Sequence, residues 1–344
     1  MIETVGLLKI FQPKGPGAKK KGAVVEPIVA VDGIDLRVDS GEIFGLLGPN
    51  GAGKSTTIKM LSTLLAPSGG QATVAGFSLA TQRSEIRRVI GVVSQSGGLD
   101  SEETPMRELV HQGVLFGLVR HAATKRATEL LDRFELGAAA TRQIKTLSGG
   151  QRRRVDIALG LVHSPKLLFL DEPTTGLDPQ SRANLWDEVR RLRNEGTTVL
   201  ITTHYLDEAD ALCDRLAIVD HGRIVAEGTA DVLKAEVGGD VITLHLPDPS
   251  AADGVIRSSG LATHVERFGD DALRLTVGRG DSTVGPLLRL LDDAGIETTS
   301  LSTARPTLDD VFLRHTGRSP AILFPCGVMV QALLRGKFGT LLFG

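Results

Sequence analysis

Several short apolar runs in the chain lack the alternation of apolar and polar positions that marks a half-buried strand. Four of them are Ile43–Leu47, Leu167–Leu170, Thr198–Thr202 and Leu216–Val219. Strands that are buried on both faces have this pattern, which is typical of a parallel sheet covered by helices. Segments with helical periodicity lie between the runs, and Ser181–Asn194 is one example. The alternation of strands with helices predicts an α/β core.

Two local patterns add detail to this core. Residues 101–145 have helical periodicity and no convincing strand, which predicts a helical insertion. Asp220–Gly222 lies between two apolar runs and predicts a tight hairpin turn, because Gly222 is free to adopt a positive φ. The Gly/Lys-rich stretch Pro13–Gly22 predicts a flexible surface loop.

The pattern changes after about residue 238. The predicted order βαββαβ fits a small ferredoxin-like unit. A further helix is expected over Thr307–His315, after Pro306. The six elements of the unit are strand Val241–Leu246, helix Ser250–Ser259, strand Ala262–Phe268, strand Leu273–Val277, helix Ser282–Ala294 and strand Glu297–Ser302.

Composition excludes several classes of protein. The 344 residues include 39 Lys and Arg against 41 Asp and Glu, so no global positive field favours nucleic acid, and no nucleic-acid partner is expected. Two cysteines, Cys213 and Cys326, cannot form a disulfide framework and indicate a reducing compartment. The N-terminus lacks the features of a signal peptide. No run of about 18 apolar residues occurs, so we expect no membrane-spanning helix.

The clearest chemical motif is a complete phosphate-loop pattern. It follows the strand Ile43–Leu47 and precedes a segment expected to be helical to about Leu65. Its glycines let backbone N–H groups surround a polyphosphate, and the helix presents its positive end to the same anion. Lys54 supplies charge for the outer phosphates, and the Ser55 hydroxyl can ligate Mg²⁺. The predicted ATP-binding residues are Gly48, Pro49, Asn50, Gly51, Ala52, Gly53, Lys54, Ser55 and Thr56.

Two carboxylates end the apolar run Leu167–Leu170. Asp171 is placed to hold the Mg²⁺ shell, as in other phosphate-loop enzymes. Glu172 is placed to orient or deprotonate a water that attacks the γ-phosphate. A competing interpretation is that the two acids only cap the next helix. That interpretation explains one carboxylate, but it does not explain why the acids occur together with a phosphate loop. ATP hydrolysis is therefore the better hypothesis.

A third motif begins a predicted helix over Arg152–Leu159. Ser148 is a good helix N-cap by itself, so a simple capped helix start is a competing interpretation. The five residues before this helix are Leu147–Gln151. Together with the two motifs above, they resemble the signature of the nucleotide-binding cassette of ABC transporters. The signature residues expected to contact ATP are Ser148, Gly149, Gly150 and Gln151, which follow Leu147.

The resemblance implies the remaining parts of such a cassette. Gln95 matches the Q-loop glutamine, which senses Mg²⁺ and the attacking water. Asp178 lies in Gly176–Asp178, which matches the D-loop between paired cassettes. His204 matches the switch histidine that contacts the γ-phosphate. The family's architecture further implies a RecA-like core with a helical subdomain, and two cassettes facing head to tail with ATP between them.

The family usually stacks an aromatic side chain on adenine, upstream of the phosphate loop. The single tyrosine, Tyr205, lies beside the switch position and cannot fill that role. Phe44 belongs to a predicted buried strand, so Phe11 is the candidate. The stretch Gln12–Pro27 resembles an insertion, which leaves open whether Phe11 keeps that position.

The segment ending Pro306–Leu313 resembles the C-terminal region of ATP-binding subunits of daunorubicin/doxorubicin-resistance type drug exporters. We therefore expect a cassette over residues 4–235, with a helical subdomain near 101–160, and an α+β extension over 239–318. The apolar tail, 319–344, has no assigned role. The resemblance implies a homodimer of cassettes, peripheral at the cytoplasmic face of the membrane, that works with a separate permease.

Other classes of protein share some of these motifs. A GTPase or small-molecule kinase would share the phosphate loop, but the guanine-recognition motif is absent. A soluble ABC ATPase of translation or DNA repair usually has two cassettes or a coiled coil, and this chain has no heptad run. A binding module without turnover would not need Glu172 and His204. Only the C-terminal region favours an exporter over an importer. The transported substrate stays undetermined.

Overall fold

A six-stranded sheet forms the centre of the molecule. The structure is a computed structural model that describes residues 1–12, 27–95 and 97–316. The strand of this sheet that comes last in the sequence, Arg223–Gly228, pairs antiparallel with its neighbour. All other neighbouring strands of the sheet are parallel. The spatial order, with strands numbered along the chain, is β10 (Arg223–Gly228), β9 (Arg215–Asp220), β3 (Ile43–Leu47), β8 (Thr198–Thr203), β7 (Leu167–Asp171) and β6 (Ile90–Val93).

The predicted buried strands are confirmed. Every residue of β3, β7 and β8 is buried, as the unbroken apolar runs require. The parallel register pairs Leu47 with Thr203 and Asp171 with Thr202. The carboxyl ends of these three strands therefore meet at one edge of the sheet, where ligands bind in open α/β sheets.

Helix α1 (Lys54–Leu61) follows β3 and is shorter than predicted. We expected it to reach Leu65, but Thr63 has a φ of 66°. The Leu65 N–H donates to the Lys59 carbonyl at 2.8 Å, which closes the turn that ends the helix.

A second, antiparallel sheet was missed by the sequence analysis. Its order is β2 (Ile28–Val38), β1 (Ile2–Phe11), β4 (Gly69–Val74) and β5 (Phe77–Ser78), and α2 (Arg83–Val89) follows it. The register of β1 against β2 shifts at three places, which breaks the apolar alternation that would have marked the strand. Side chains of this sheet and of the central sheet share one hydrophobic core.

The helical insertion is confirmed. It contains α3 (Pro105–Leu115) and α4 (Arg120–Arg133), followed by two short 3₁₀ helices at 137–139 and 144–146. Helix α5 (Gly149–Leu161) begins before the predicted Arg152. These helices pack in one core with α6 (Pro179–Asn194) and the other face of the central sheet.

The C-terminal unit is ferredoxin-like, as predicted. Its antiparallel sheet carries two helices and has its own apolar core. The last strand starts at Ser300 rather than Glu297, after a turn at Gly295 with a φ of 68°. The sheet order is β12 (His264–Arg267), β13 (Ala272–Val277), β11 (Asp240–His245) and β14 (Ser300–Ala304), and the helices are α9 (Pro249–Ser259) and α10 (Gly280–Asp293).

After this unit the chain returns to the central sheet. Helix α11 (Leu308–Thr316) confirms the predicted C-terminal helix and packs against α7 (Leu206–Leu212) and α8 (Ala230–Val237). Phe312 belongs to the same core as Leu47, the last residue before the phosphate loop. Among the described residues no helix combines the length and apolarity needed to cross a bilayer. The predictions for 13–22 and 319–344, and Cys326, lie outside the described residues.

Candidate functional site

The phosphate loop connects β3 to α1 at the carboxyl edge of the central sheet. Gly53 has a φ of 106°, in the region that favours glycine, and directly precedes α1. A side chain at Gly48 would lie 2.2 Å from the Val219 carbonyl oxygen, so only glycine fits there. The predicted hairpin turn packs on this loop, because the Gly222 N–H donates to the Ala52 carbonyl at 2.9 Å. His221 and Gly222 both have positive φ, as a tight hairpin requires.

Lys54 lies across its own loop. Its Nζ donates to the Gly48 carbonyl at 2.7 Å and to the Pro49 carbonyl at 3.1 Å, and it lies 3.4 Å from Glu172 Oε1. Burial lowers the pKa of the Lys54 ammonium, and the charges of Glu172 and Asp171 oppose that shift. The loop therefore holds one buried cation where an anion would enter.

Asp171 ends β7 beside the first turn of α1. Its Oδ1 accepts hydrogen bonds from Ser55 Oγ at 2.8 Å and from Thr202 Oγ1 at 2.6 Å. The parallel register, in which Asp171 lies opposite Thr202, produces the second contact. A hydroxyl and a carboxylate are the hard oxygen donors that Mg²⁺ prefers, so this pair fits such an ion.

Glu172 is the centre of a cluster of polar side chains. Its Oε2 accepts a hydrogen bond from Gln95 Nε2 at 3.0 Å and lies 3.3 Å from His204 Nδ1, without full hydrogen-bond alignment. The contact with His204 lowers the pKa of the Glu172 carboxyl; burial opposes this shift and the Lys54 charge adds to it. The predicted residues Gln95, Lys54 and His204 therefore converge on one carboxylate that favours its ionised form.

The backbone at Glu172 is strained. This residue has a φ of 46°, which is uncommon for a residue other than glycine. Its N–H donates to the Thr202 carbonyl at 3.1 Å and to Thr202 Oγ1 at 3.0 Å. Strain of this kind persists where neighbouring contacts fix it and is common at active sites.

The signature and the D-loop form a second group. Ser148 Oγ accepts from the Gln151 N–H at 3.2 Å, and Gln151 Oε1 accepts from the Ser148 N–H at 3.1 Å, a complete capping box. A side chain at Gly150 would lie 2.8 Å from Ser181 Oγ, and the same hydroxyl donates to Asp178 Oδ2 at 2.6 Å. Gly149 is exposed and has open space around it. The helix-start interpretation of Ser148 is thus satisfied within the chain, while Gly149 is accessible.

Arg153 connects these groups and was missed by the sequence analysis. This buried arginine of α5 donates to the carbonyls of Pro173 at 2.8 Å, Ser94 at 2.7 Å and Asp171 at 3.2 Å. It therefore ties the end of β7 to the segment that carries Gln95. The available signal was its place between the buried positions of an amphipathic helix, where an arginine needs internal acceptors.

Phe11 lies at the end of β1, opposite Ile28, with 40% of its side chain exposed. Lys9 Nζ lies 5.3 Å from the centroid of its ring. The strand that pairs with it passes the phosphate loop, since a side chain at Gly53 would lie 2.4 Å from the Ala30 carbonyl oxygen. Thr56 is half-buried in α1. The roles of Phe11 and Thr56 in nucleotide binding stay predictions.

Two family models match separate parts of the chain. The model described as ABC transporter matches residues 31–175, and the model of the ATP-binding protein DrrA1-3-like C-terminal domain matches residues 228–316. Among solved structures, an ATP-binding subunit of an ABC transporter is similar with a TM-score of 0.58 and 28% identity over 69% of this chain and 92% of that chain. A dimeric cassette, MJ0796 bound to ADP and phosphate, has a TM-score of 0.60 and 26% identity over 67% and 98%.

Fold, phosphate loop and signature define the class as an ATP-binding cassette ATPase. The DrrA protein of Streptomyces peucetius, a daunorubicin/doxorubicin resistance ATP-binding protein, is 46% identical over 92% of both chains. The Nod factor export ATP-binding protein I of Burkholderia lata is 40% identical over 84% of this chain and 93% of that protein. The chain belongs to the ATP-binding subunits of the ABC transporter family, in the branch that carries the DrrA-like C-terminal domain.

Proposed function

We propose that this chain drives the export of a drug-like or lipophilic compound by hydrolysing ATP for a separate permease. The observation that carries the proposal is the cluster on Glu172, in which Gln95, His204 and Lys54 surround one carboxylate. The names of its relatives, which specify daunorubicin/doxorubicin resistance and Nod factor export, support export over import.

In the proposed reaction, Glu172 is the general base. A water oxygen forms a bond to the γ-phosphorus, the bond from that phosphorus to the bridging oxygen breaks, and the water proton passes to the Glu172 carboxylate. Because its pKa is lowered, the Glu172 carboxylate is a weak base. It therefore accepts the proton only after the water oxygen has begun to bond to phosphorus, which makes the water more acidic. Lys54 exchanges its bonds with the loop carbonyls for bonds with the phosphates, and His204 orients the γ-phosphate.

We further propose that Ser55 and Asp171 hold Mg²⁺, with Gln95 beside it. The hydroxyl and carboxylate oxygens of the first two lie 2.8 Å apart and offer hard donors to one ion. When bound, the ion supplies positive charge to the β- and γ-phosphate oxygens. In the described part of the chain, the tie of Asp171 to Thr202 keeps its carboxylate oriented for this role.

The proposed working unit is a homodimer. Ser148, Gly149 and Gly150 begin a helix of 13 residues, and a helix N-terminus favours an anion. Gly149 is exposed, and a side chain placed there would meet no atom within 4 Å, so its backbone is accessible to the ATP held by a second copy. Asp178 caps α6 next to this surface. Each copy would thus complete the other's site.

We place the permease on an apolar surface at the α3–α4 turn. Leu115 and Val119 are 68% and 73% exposed there. Leu115 borders a groove of about 680 Å³ that is also lined by Phe116, Arg87 and Arg88, among others. Such a surface fits an amphipathic cytoplasmic segment with an apolar face and a carboxylate. A permease bound here would hold the chain at the cytoplasmic face of the membrane.

Vesicle transport tests this function. The full chain is co-expressed with its candidate permease, and ATP-dependent accumulation of doxorubicin is measured in inside-out vesicles. We expect accumulation with the unmodified chain and none with Glu172→Gln. Failure to co-purify with any membrane subunit, or ATPase activity that responds to ribosomes or DNA instead, would overturn the transport proposal.

A further inference from the structure

Glu208 is a fully buried carboxyl group close behind the candidate site. It lies in the first turn of α7, four residues after His204, and its side chain has no exposed surface. No other charged side chain in the described part of the chain is so deeply buried. The indole Nε1 of Trp186 in α6 donates to Glu208 Oε1 at 3.0 Å.

The neighbours of Glu208 come from the two segments that carry the site. Thr203 immediately precedes His204, and its Oγ1 accepts from the Tyr205 N–H at 2.9 Å. Thr174 follows Glu172 by two residues and is buried. Burial raises the pKa of the Glu208 carboxyl, and the hydroxyls of Thr203 and Thr174 and the indole of Trp186 oppose that shift. The Glu208 carboxyl therefore bonds to Trp186 of α6 and lies near the buried hydroxyl groups of both site segments.

Only the Trp186 bond among these contacts has full hydrogen-bond geometry. Glu208 Oε2 and Thr174 Oγ1 are both buried without an aligned partner among the residues described. Such a group is costly, because a buried polar atom without a partner loses its hydration and gains no bond in return.

Glu188 provides the contrast. It lies on the same helix as Trp186 and is also buried, with 6% exposed. Its carboxylate pairs with Arg133 and with Arg191, the latter at 3.0 Å, on the side of the helical insertion. Ion pairing therefore accounts for Glu188, whereas no ion pair within 4.0 Å is formed by Glu208 among the described residues.

We propose that Glu208 is a positioning residue for hydrolysis, which holds the segment after Glu172 in register with the segment that carries His204. This inference rests on the proposed roles of Glu172 and His204. His204 Nδ1 lies only 3.3 Å from Glu172 Oε2, so a shift of one segment against the other would move the proposed general base away from the histidine that faces it. Misplacement by about 1 Å at an active site can cost about a hundredfold in rate.

The test compares three variants of the full chain by steady-state ATP hydrolysis and by binding of a fluorescent ATP analogue. Glu208→Ala removes every contact of the carboxyl, and we expect kcat to fall about ten- to hundredfold while nucleotide affinity stays within about twofold. Glu208→Gln keeps the shape and the acceptor for Trp186, and we expect it to restore at least about half of kcat. Glu188→Ala removes a buried carboxyl that pairs with Arg133 and Arg191 instead of facing the site segments, and its kcat should be unchanged.

Stability is measured in parallel, since both alanine variants remove buried groups. Trp186 is the only tryptophan of the chain, so its emission maximum reports whether the packing around position 208 is retained. If Glu208→Ala does not fold, Trp186→Phe removes the donor to Glu208 and keeps an aromatic ring, and we expect a smaller fall in kcat with normal ATP binding.

Two results would overturn the inference. One is an unchanged kcat in Glu208→Ala; the other is a loss of kcat that Glu188→Ala reproduces at the same loss of stability. Both are distinct from failure of the proposed function, in which the unmodified chain or the transport assay itself would be inactive.

Discussion

The carboxyl edge of the central sheet and the C-terminal unit differ in whether their charged side chains are buried. At the sheet edge Lys54, Asp171, Glu172, Arg153 and Glu208 are all buried. In the C-terminal unit and α11, residues 239–316, every charged side chain is at least partly exposed, and the core of the unit is apolar. Burying charge is costly unless each group is paired. Outside the sheet edge, the one buried charged side chain among the described residues is Glu188, which is paired with Arg133 and Arg191.

The contrast also separates two tasks. The sheet edge holds the groups proposed to act on phosphate and water, and its strands β3, β7 and β8 are buried on both faces. The C-terminal unit offers no such group, but helix α11, which follows it, shares a core with β3 and α7. Helix α11 is thus packed against both the strand before the phosphate loop and the helix after His204.

The strongest test of the contrast is Glu172→Gln. It keeps the size of the side chain but removes the proposed base, so we expect ATP turnover to fall about a hundredfold or more with ATP binding retained. A dimer should accumulate with Mg²⁺ and ATP, detectable by size-exclusion chromatography. Glu188→Gln, a buried acid outside the site, is the control. Normal turnover in Glu172→Gln would remove Glu172 from the catalytic role.

The second test concerns the shared core. Phe312 of α11 is 4% exposed, and Phe312→Ala should lower the free energy of unfolding by about 3–5 kcal/mol. The neighbouring Leu313, which is 47% exposed, provides a control whose change to Ala should have little effect. Denaturant unfolding measures both. If Phe312→Ala is as stable as Leu313→Ala, α11 does not support the cassette.

The third test is Lys54→Ala. Loss of the buried ammonium removes hydrogen bonds to a charged ligand, which are worth about 1.5–3 kcal/mol, so ATP should bind about ten- to hundredfold more weakly. Lys59→Ala, on the exposed side of the same helix, is the matched control and should bind normally. Titration with labelled ATP measures the affinity of both variants. An unchanged affinity in Lys54→Ala would contradict the proposed role of Lys54 in the phosphate loop.

Sequence was informative wherever one physical constraint dominates. Unbroken apolar runs predicted β3, β7 and β8, because a strand that is buried on both faces needs apolar side chains on both of them. The phosphate loop was equally clear, since its glycines follow from backbone geometry. The first antiparallel sheet was missed because its bulges interrupt the alternation of β1.

Two buried charged residues, Arg153 and Glu208, were not singled out from the sequence. Arg153 is the middle residue of three arginines, and Glu208 lies among Asp207 and Asp210, so each resembles part of a solvated helix face. Which member of such a run is buried depends on elements that are distant in sequence. Pro173 and Ser94 accept from Arg153, and Trp186 donates to Glu208.

The smallest expected effect is a shift in pH dependence, and it tests whether the buried charges act together. The contact with His204 is the largest cause of the lowered pKa of Glu172, while burial acts in the opposite direction. In His204→Gln the carboxyl should therefore have a higher pKa than in the unmodified chain. A base is active only when ionised, so the residual ATPase activity should begin to fall at a higher pH as the solution is acidified. The pH profile of kcat measures the shift, with His221→Gln, at an exposed turn position, as the control. An acid limb of kcat that stays in place would mean that His204 does not set the ionisation of Glu172, and that the two residues serve the reaction independently.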